Sequence, residues 1–401
     1  MISLLPQFLK IKIGEKRVFG LDIVRCFAIL TVVLGHSYDL IPGAKESKFL
    51  QLLPFPDGVS VFFVLSGFLI GGILIKTLET KKYSFSVLLN FWKRRWLRTL
   101  PNYFLVLIII IAVTRFVTGE FNYPKTPLYF IFFQNFNWPH PHFFDEAWSL
   151  SIEEWFYFIV PLLVFIGLHL FPSSVKKSVL IVIFVVIIFT IMLRYYRYLH
   201  MSELTIEIWA GYFRGTVLTR LDNIVAGVFG AYLAHYHKDF WVIYKNQFLT
   251  SGILLLLFTA YIPRLFFMDS SFYWCNLSFI FAELGILLCF PFFSQVKTGA
   301  GKVYKFVTYT SLISYSMYLV HGALLLHLII ARIHFLQQNS FAILFFRYTI
   351  YWITIYIFSI LQYKYFEQPI LSPRNKKVIG AAGNSFDAKA KKIMKISKAP
   401  I

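Results

Sequence analysis

Apolar runs long enough to cross a bilayer recur from one end of the chain to the other, and this excludes most architectures. A hydrocarbon core demands about 18 or more predominantly apolar residues per helix. Such runs begin near residues 18, 58, 101, 148, 176, 214, 249, 272, 306 and 341, which predicts ten spanning helices. In lipid every backbone amide must be bonded within its own segment, so the expected fold is an all-α, polytopic membrane bundle. Composition agrees, with 58% of 401 residues hydrophobic and 20% aromatic, against an apolar share of about 45–50% in soluble domains. The chain divides into an N-terminal segment 1–17, a transmembrane domain 18–370 and a flexible basic tail 371–401.

The formal charge of +20 would suggest nucleic acid in a soluble protein. Here lysine and arginine sit just outside the apolar runs, where they meet anionic lipid and set topology, so no nucleic-acid partner is expected. Lys76, Lys81, Lys82, Lys93, Arg94, Arg95 and Arg98 lie between the second and third runs, and Arg374, Lys376 and Lys377 follow the last. By the positive-inside rule both regions, and the N-terminus, are cytoplasmic. Segment 1–17 lacks a small-residue cleavage site after a short apolar region and is not read as a removable signal. Cys26, Cys275 and Cys289 show no metal-ligand spacing and are read as packing residues, so no metal is expected.

Ionisable groups inside membrane helices are costly, so those present mark function. The first run, Gly20 to Ser37, carries Asp22, Arg25 and His36. Arg25 and His36 are eleven residues apart, close to whole helical turns, so both point the same way across roughly 16 Å of axial rise. A neutral imidazole there can take the proton from a hydroxyl attacking an activated acyl group. In FWKRRWLRTLP, Arg95 and Arg98 are one turn apart and suit bidentate recognition of phosphates, although topology alone would also place cations there. In AWSLSIEEWFYFIVP, Ser149, Glu153 and Tyr157 share a face. Glu153 is a candidate to orient His36, whereas Glu154 is read as an interfacial carboxylate.

Other groups have plainer readings. Gly58, Gly67, Gly71 and Gly72 favour close helix packing, and nothing local activates Ser66 as a nucleophile. Arg220 and Asp222 of RLDN are expected to neutralise each other at a helix start. Ser314, Tyr318 and His321 of SYSMYLVHG share a face and either line the same cavity or bond between helices. The aromatic, proline-rich stretch YPKTPLYFIFFQNFNWPHPHFF, which holds His140 and His142, reads as interfacial or re-entrant. A stripe of intramembrane charge also suits a transporter or flippase for a lipid-linked sugar.

The arginine and histidine of Arg25 and His36, then GVSVFFVLSGFLI, RRWLRTLP, WSLSIEEWFY, RLDNIVAG and SYSMYLVHG occur in the order seen in the acyltransferase-3 family. The resemblance extends from about Gly20 to the YFEQP stretch ending at Pro369. It implies a bacterial inner-membrane O-acyltransferase with about ten spans. The donor would be an acyl-CoA, usually acetyl-CoA, bound from the cytoplasm. The acceptor would be a hydroxyl of a cell-surface or lipid-linked carbohydrate. The family's motifs fall on Arg25 and His36, on Arg95 and Arg98, and on Trp148, Ser149 and Glu153. On this reading His36 is the base with Glu153 beside it, Arg25, Arg95 and Arg98 hold the donor, and Asp22, Ser149, Tyr157, Arg220, Asp222 and His321 support. The chain departs from the family at Ser60, where an acidic residue is common.

Overall fold

The computed structural model describes residues 11, 17–44, 47, 57–81, 84–119, 123–170, 174–265, 271–333 and 340–371. The predicted tail beyond 371 and most of segment 1–17 lie outside the described residues. Among the described residues there is no strand. Ten long helices follow one another: α1 (Phe19–Ser37), α2 (Gly58–Thr80), α3 (Phe85–Thr118), α4 (Ala147–Leu170), α5 (Val175–Leu199), α6 (Leu221–Tyr236), α7 (Lys245–Leu265), α8 (Ser278–Gln295), α9 (Gly301–Val320) and α10 (Phe341–Gln362). Eight spans, corresponding to α1 to α5 and α8 to α10, are long and apolar enough to cross a membrane.

Two boundaries differ most from the sequence reading, each for a visible reason. The third helix begins at Phe85 rather than near 101, so Pro101 lies inside a continuous helix and the arginine cluster rides on its first half. The sixth begins at Leu221 rather than near 214. Before it, a π-helical turn at Trp209–Arg214 gives way to irregular backbone. That backbone is held by the loop before α4: Asn135 donates through Nδ2 to Gly215 O at 2.7 Å and accepts the Val217 N–H on its own carbonyl at 3.0 Å. Irregular backbone survives at such depth only when protein groups satisfy it. The aromatic loop performs this service from within the bundle, with Gln134 and Asn135 fully buried.

Small residues decide how closely α2 and α6 approach. A Cβ on Gly67 would stand 1.8 Å from Ile224 O, and one on Gly227 would stand 2.0 Å from Val64 O. The two backbones therefore touch, as the glycines of the second run predict. In α4, Pro161 has no N–H, which strands the carbonyl of Tyr157 four residues earlier. The Trp92 indole of α3 fills the gap, donating to Tyr157 O at 3.0 Å.

Contacts between helix ends define two sides of the bundle. The start of α1 meets the end of α8 through Gly20 N–H to Val296 O, while Tyr236 at the end of α6 donates to Glu79 at the end of α2 at 2.5 Å. Lys176 at the start of α5 lies over the Tyr236 ring. On the opposite side Ser37, closing α1, bonds Tyr348 of α10, and Arg347 donates to Leu40 O. Each helix reverses the direction of the one before, so Arg25 and His36 lie toward opposite sides along one unbroken helix.

Candidate active site

A cavity of about 1180 Å³ opens between α1, α2, α3, α4 and α9. Arg17, Arg25, Lys81, Arg94, Arg95 and Arg98 line it, against the carboxylates of Glu153 and Glu367. Arg25, Arg94 and Arg98 make no hydrogen bond or ion pair with the described residues. Arg25 interacts electrostatically with Arg98, Arg17 and Arg95, like charges that repel, and with Asp22. Grouping free guanidinium groups in this way stores repulsion that an anionic ligand relieves.

Asp22, expected beside Arg25, turns instead to α9. It is buried, accepts from Arg17 Nε at 2.8 Å and from Ser311 Oγ at 2.7 Å. Arg25 is thereby left to the cavity. Sequence reading passed over both Arg17, which stands before the first run, and Glu367, which accepts from Ser316 at 3.1 Å and Asn102 at 3.3 Å.

The Ser149, Glu153 and Tyr157 face of α4 forms one wall. Tyr157 Oη donates to Glu153 Oε2 at 2.9 Å and also meets Ser66 and Arg95. The Arg95 guanidinium lies 4.1 Å over the Tyr157 ring, so its reach into the cavity is fixed. No hydrogen bond or ion pair joins Glu153 to His36. The expectation that this carboxylate orients the histidine gives way to one in which it secures Tyr157 and Arg95. Glu154 is buried rather than interfacial and faces Thr99 and Arg95 on α3.

At its far end the cavity reaches Ser149, Tyr318 and Phe62. Ser149 and Tyr318 hydroxyls bond at 2.6 Å, tying α4 to α9. The Tyr318 ring stands 5.6 Å from the His321 ring, which stands 4.9 Å from His36 in a perpendicular arrangement. Two rings therefore separate the cavity from His36, which is itself exposed.

His321 opens a π-helical segment, His321–Ile329. The change of pitch frees an N–H, that of Ala323, which the buried Glu146 accepts at 2.7 Å. Gly322 leaves room for this carboxyl, since a Cβ there would lie 2.2 Å from Glu146 Oε1. Burial pushes the Glu146 carboxyl up to about 8. Glu146, which directly precedes α4, is given no role by sequence reading. Its position three residues before Ser149 was the available signal.

Arg220 and Asp222 do not neutralise each other. Asp222 pairs with Arg194 at 2.5 Å, both fully buried, while Arg220 donates to Ser60 Oγ at 2.9 Å. Both guanidiniums lie over the Phe279 ring, at 5.0 and 4.5 Å. Ser60 in turn donates to Asp57 Oδ2 at 3.1 Å, and Asp57 pairs with Arg214 at 3.3 Å. This explains the departure at Ser60: the carboxylate sits one turn earlier, and the serine links it to Arg220. Burial would raise the Asp57 carboxyl, but Arg214 and Arg220 hold it below its ordinary value. His140 and His142 stay in the loop, where burial lowers His140 to about 3 and His142 lies 3.4 Å from Asp145.

The model of the acyltransferase domain family matches residues 18–371. O-acetyltransferase OatA of Staphylococcus aureus is 31% identical over 179 residues, 41% of this chain and 27% of that protein. The putative peptidoglycan O-acetyltransferase YrhL of Bacillus subtilis is 32% identical over 181 residues, 40% of this chain and 26% of that one. Peptidoglycan O-acetyltransferase OatA of Listeria monocytogenes is 32% identical over 186 residues, 42% and 28% of the two chains. The matched stretches thus span about a quarter of these relatives' own length. No solved structure matches. Intramembrane charge alone left an enzyme and a translocator as alternatives, and the family match favours the first: the chain belongs to the acyltransferase-3 family.

Proposed function

We propose that the protein is an O-acetyltransferase that takes an acetyl group from acetyl-CoA on the cytoplasmic side and delivers it to a hydroxyl of an envelope carbohydrate on the other. The observation that carries this reading is the cationic cavity ending two rings short of an exposed histidine. A volume of about 1180 Å³ exceeds the ~300–1,000 Å³ of ordinary ligand clefts and suits a long, phosphate-bearing donor. Arg25, Arg95 and Arg98 hold its phosphates, Glu153 and Tyr157 fix Arg95, and Ser149 and Tyr318 border the thioester end.

The orientation follows from charge. Lys81, Lys93, Arg94, Lys176, Lys177, Lys238, Lys245, Lys297, Lys302 and Lys305 all lie at or near helix ends on the Arg25 side. The positive-inside rule makes that side cytoplasmic in the inner membrane. His36 then faces outward. As the acceptor oxygen attacks the acetyl carbonyl, His36 takes the hydroxyl proton. The carbon–sulfur bond breaks, and the thiolate of coenzyme A leaves toward the arginines. The names of the relatives favour peptidoglycan as the acceptor.

Envelope glycans from cells with and without the gene, compared by mass spectrometry, test this reading. An added acetyl group that depends on the gene is the expected result. Identical glycans from a strain in which the protein accumulates normally would contradict it.

A further inference from the structure

His321 is fully buried, and its two ring nitrogens have different surroundings. Nδ1 lies 2.8 Å from Tyr318 O, which can only accept, so Nδ1 carries the proton. Glu146 Oε1, 3.8 Å away, faces the same nitrogen. A neutral imidazole has one N–H, which leaves Nε2 with a lone pair. Nε2 is buried and has no hydrogen-bond partner among the described residues. A buried acceptor without a donor is unfavourable, so its survival calls for a use.

The ring of His36 stands perpendicular at 4.9 Å. A hydrogen bond between two imidazoles places their centres about 5 Å apart, since the nitrogens meet at about 3 Å and each lies ~1 Å from its ring centre. The spacing already fits, and a turn of the exposed His36 ring closes the bond. Glu146 and Gly322 hold the π-helical turn that presents His321, so its ring has a fixed place.

We propose that His321 is the positioning residue of His36: its Nε2 accepts the ring N–H of His36 and so fixes the tautomer whose other nitrogen is free to take the acceptor's proton. When His36 becomes imidazolium, one of its two N–H groups stays on His321 and the other holds the transferred proton. The inference rests on His36 being the base, and it moves the orienting role from Glu153 to a histidine that sequence reading left between cavity lining and packing.

The pair His321→Gln and His321→Asn separates this role from packing. A glutamine amide reaches the Nε2 position with an acceptor oxygen, whereas asparagine reaches only the Nδ1 position. Membrane vesicles from cells expressing each variant receive radiolabelled acetyl-CoA, and transfer to endogenous glycan is measured per molecule of folded protein. The maximal rate of His321→Asn falls about 100-fold, that of His321→Gln falls far less, and the KM for acetyl-CoA stays within roughly threefold in both. If His321→Asn does not accumulate, His321→Met, which fills the volume without an acceptor, takes its place. Equal losses in the acceptor-bearing and acceptor-free variants, or an unchanged rate in the acceptor-free one, overturn the proposal. His36→Ala is run alongside: if it retains transfer, the assignment of His36 fails, and if it alone loses transfer, only the role of His321 fails.

Discussion

The Trp92 indole donates to the main-chain carbonyl of Tyr157, the oxygen that Pro161 leaves without a helical donor. This bond ties α3, one turn before Arg95, to α4, one turn after Glu153. In Trp92→Phe the carbonyl stays buried and unpaired. The expected loss is about 1–3 kcal/mol of stability, read as a lower unfolding temperature in detergent. The KM for acetyl-CoA should rise with it, because Tyr157 anchors Arg95.

Arg98 and Arg95 line the same cavity but differ in their attachments. Arg98 makes no ion pair or hydrogen bond among the described residues, so Arg98→Ala should leave the unfolding temperature close to that of the parent. It should raise the KM for acetyl-CoA about 10- to 100-fold, the value of one charge-assisted hydrogen bond of about 1.5–3 kcal/mol. Arg98→Lys should recover part of the loss, since a point charge replaces a fork. A KM unchanged in Arg98→Ala would remove Arg98 from the donor site.

Arg194 and Asp222 form a fully buried pair. Removing one partner leaves an uncompensated charge, so Arg194→Met should cost about 3–5 kcal/mol and reduce the amount of folded protein. Adding Asp222→Leu should restore part of the loss. Fluorescence-detected size exclusion of the single and double variants reads this directly. Equal yields for the two would show that the pair is not coupled.

The carboxyl of Glu146 is raised to about 8 from an ordinary 4.5, because burial disfavours its charged form. A group raised in the folded state contributes stability that is whole below the unfolded value and is lost as pH climbs through the folded one. The window is therefore about pH 4.5 to about pH 8. Thermal unfolding followed across that window should show stability declining with pH in the parent. Glu146→Gln, which cannot ionise, should flatten the decline. An unchanged slope in the glutamine variant would place its cause elsewhere.

Much of the bundle is legible in the sequence because each span must satisfy its own backbone and hide its own apolar surface, which are local demands. The starts of α6 and α3 were misplaced for non-local reasons. Asn135, far away in the chain, caps the broken backbone before Leu221, and Pro101 sits inside a helix whose first half reads as a basic loop. At the site, the arginines and the Glu153–Tyr157 face follow from helical spacing alone. Partners did not follow, because pairing crosses helices. Asp22 chose Arg17, Asp222 chose Arg194, and His36 found His321 in place of Glu153. Periodicity gives the face a residue occupies on its own helix, whereas packing decides which face it meets.

On the proposed mechanism His36 takes the proton at the far end of a donor cavity it does not line. Purified protein given radiolabelled acetyl-CoA and envelope glycan tests this most directly when donor binding and acetyl transfer are measured on the same His36→Ala sample. Acetyl-CoA should bind to His36→Ala as it does to the parent, while transfer falls about 100- to 10,000-fold, the contribution of a positioned general base. Transfer at the parent rate in His36→Ala, with binding intact, would contradict it.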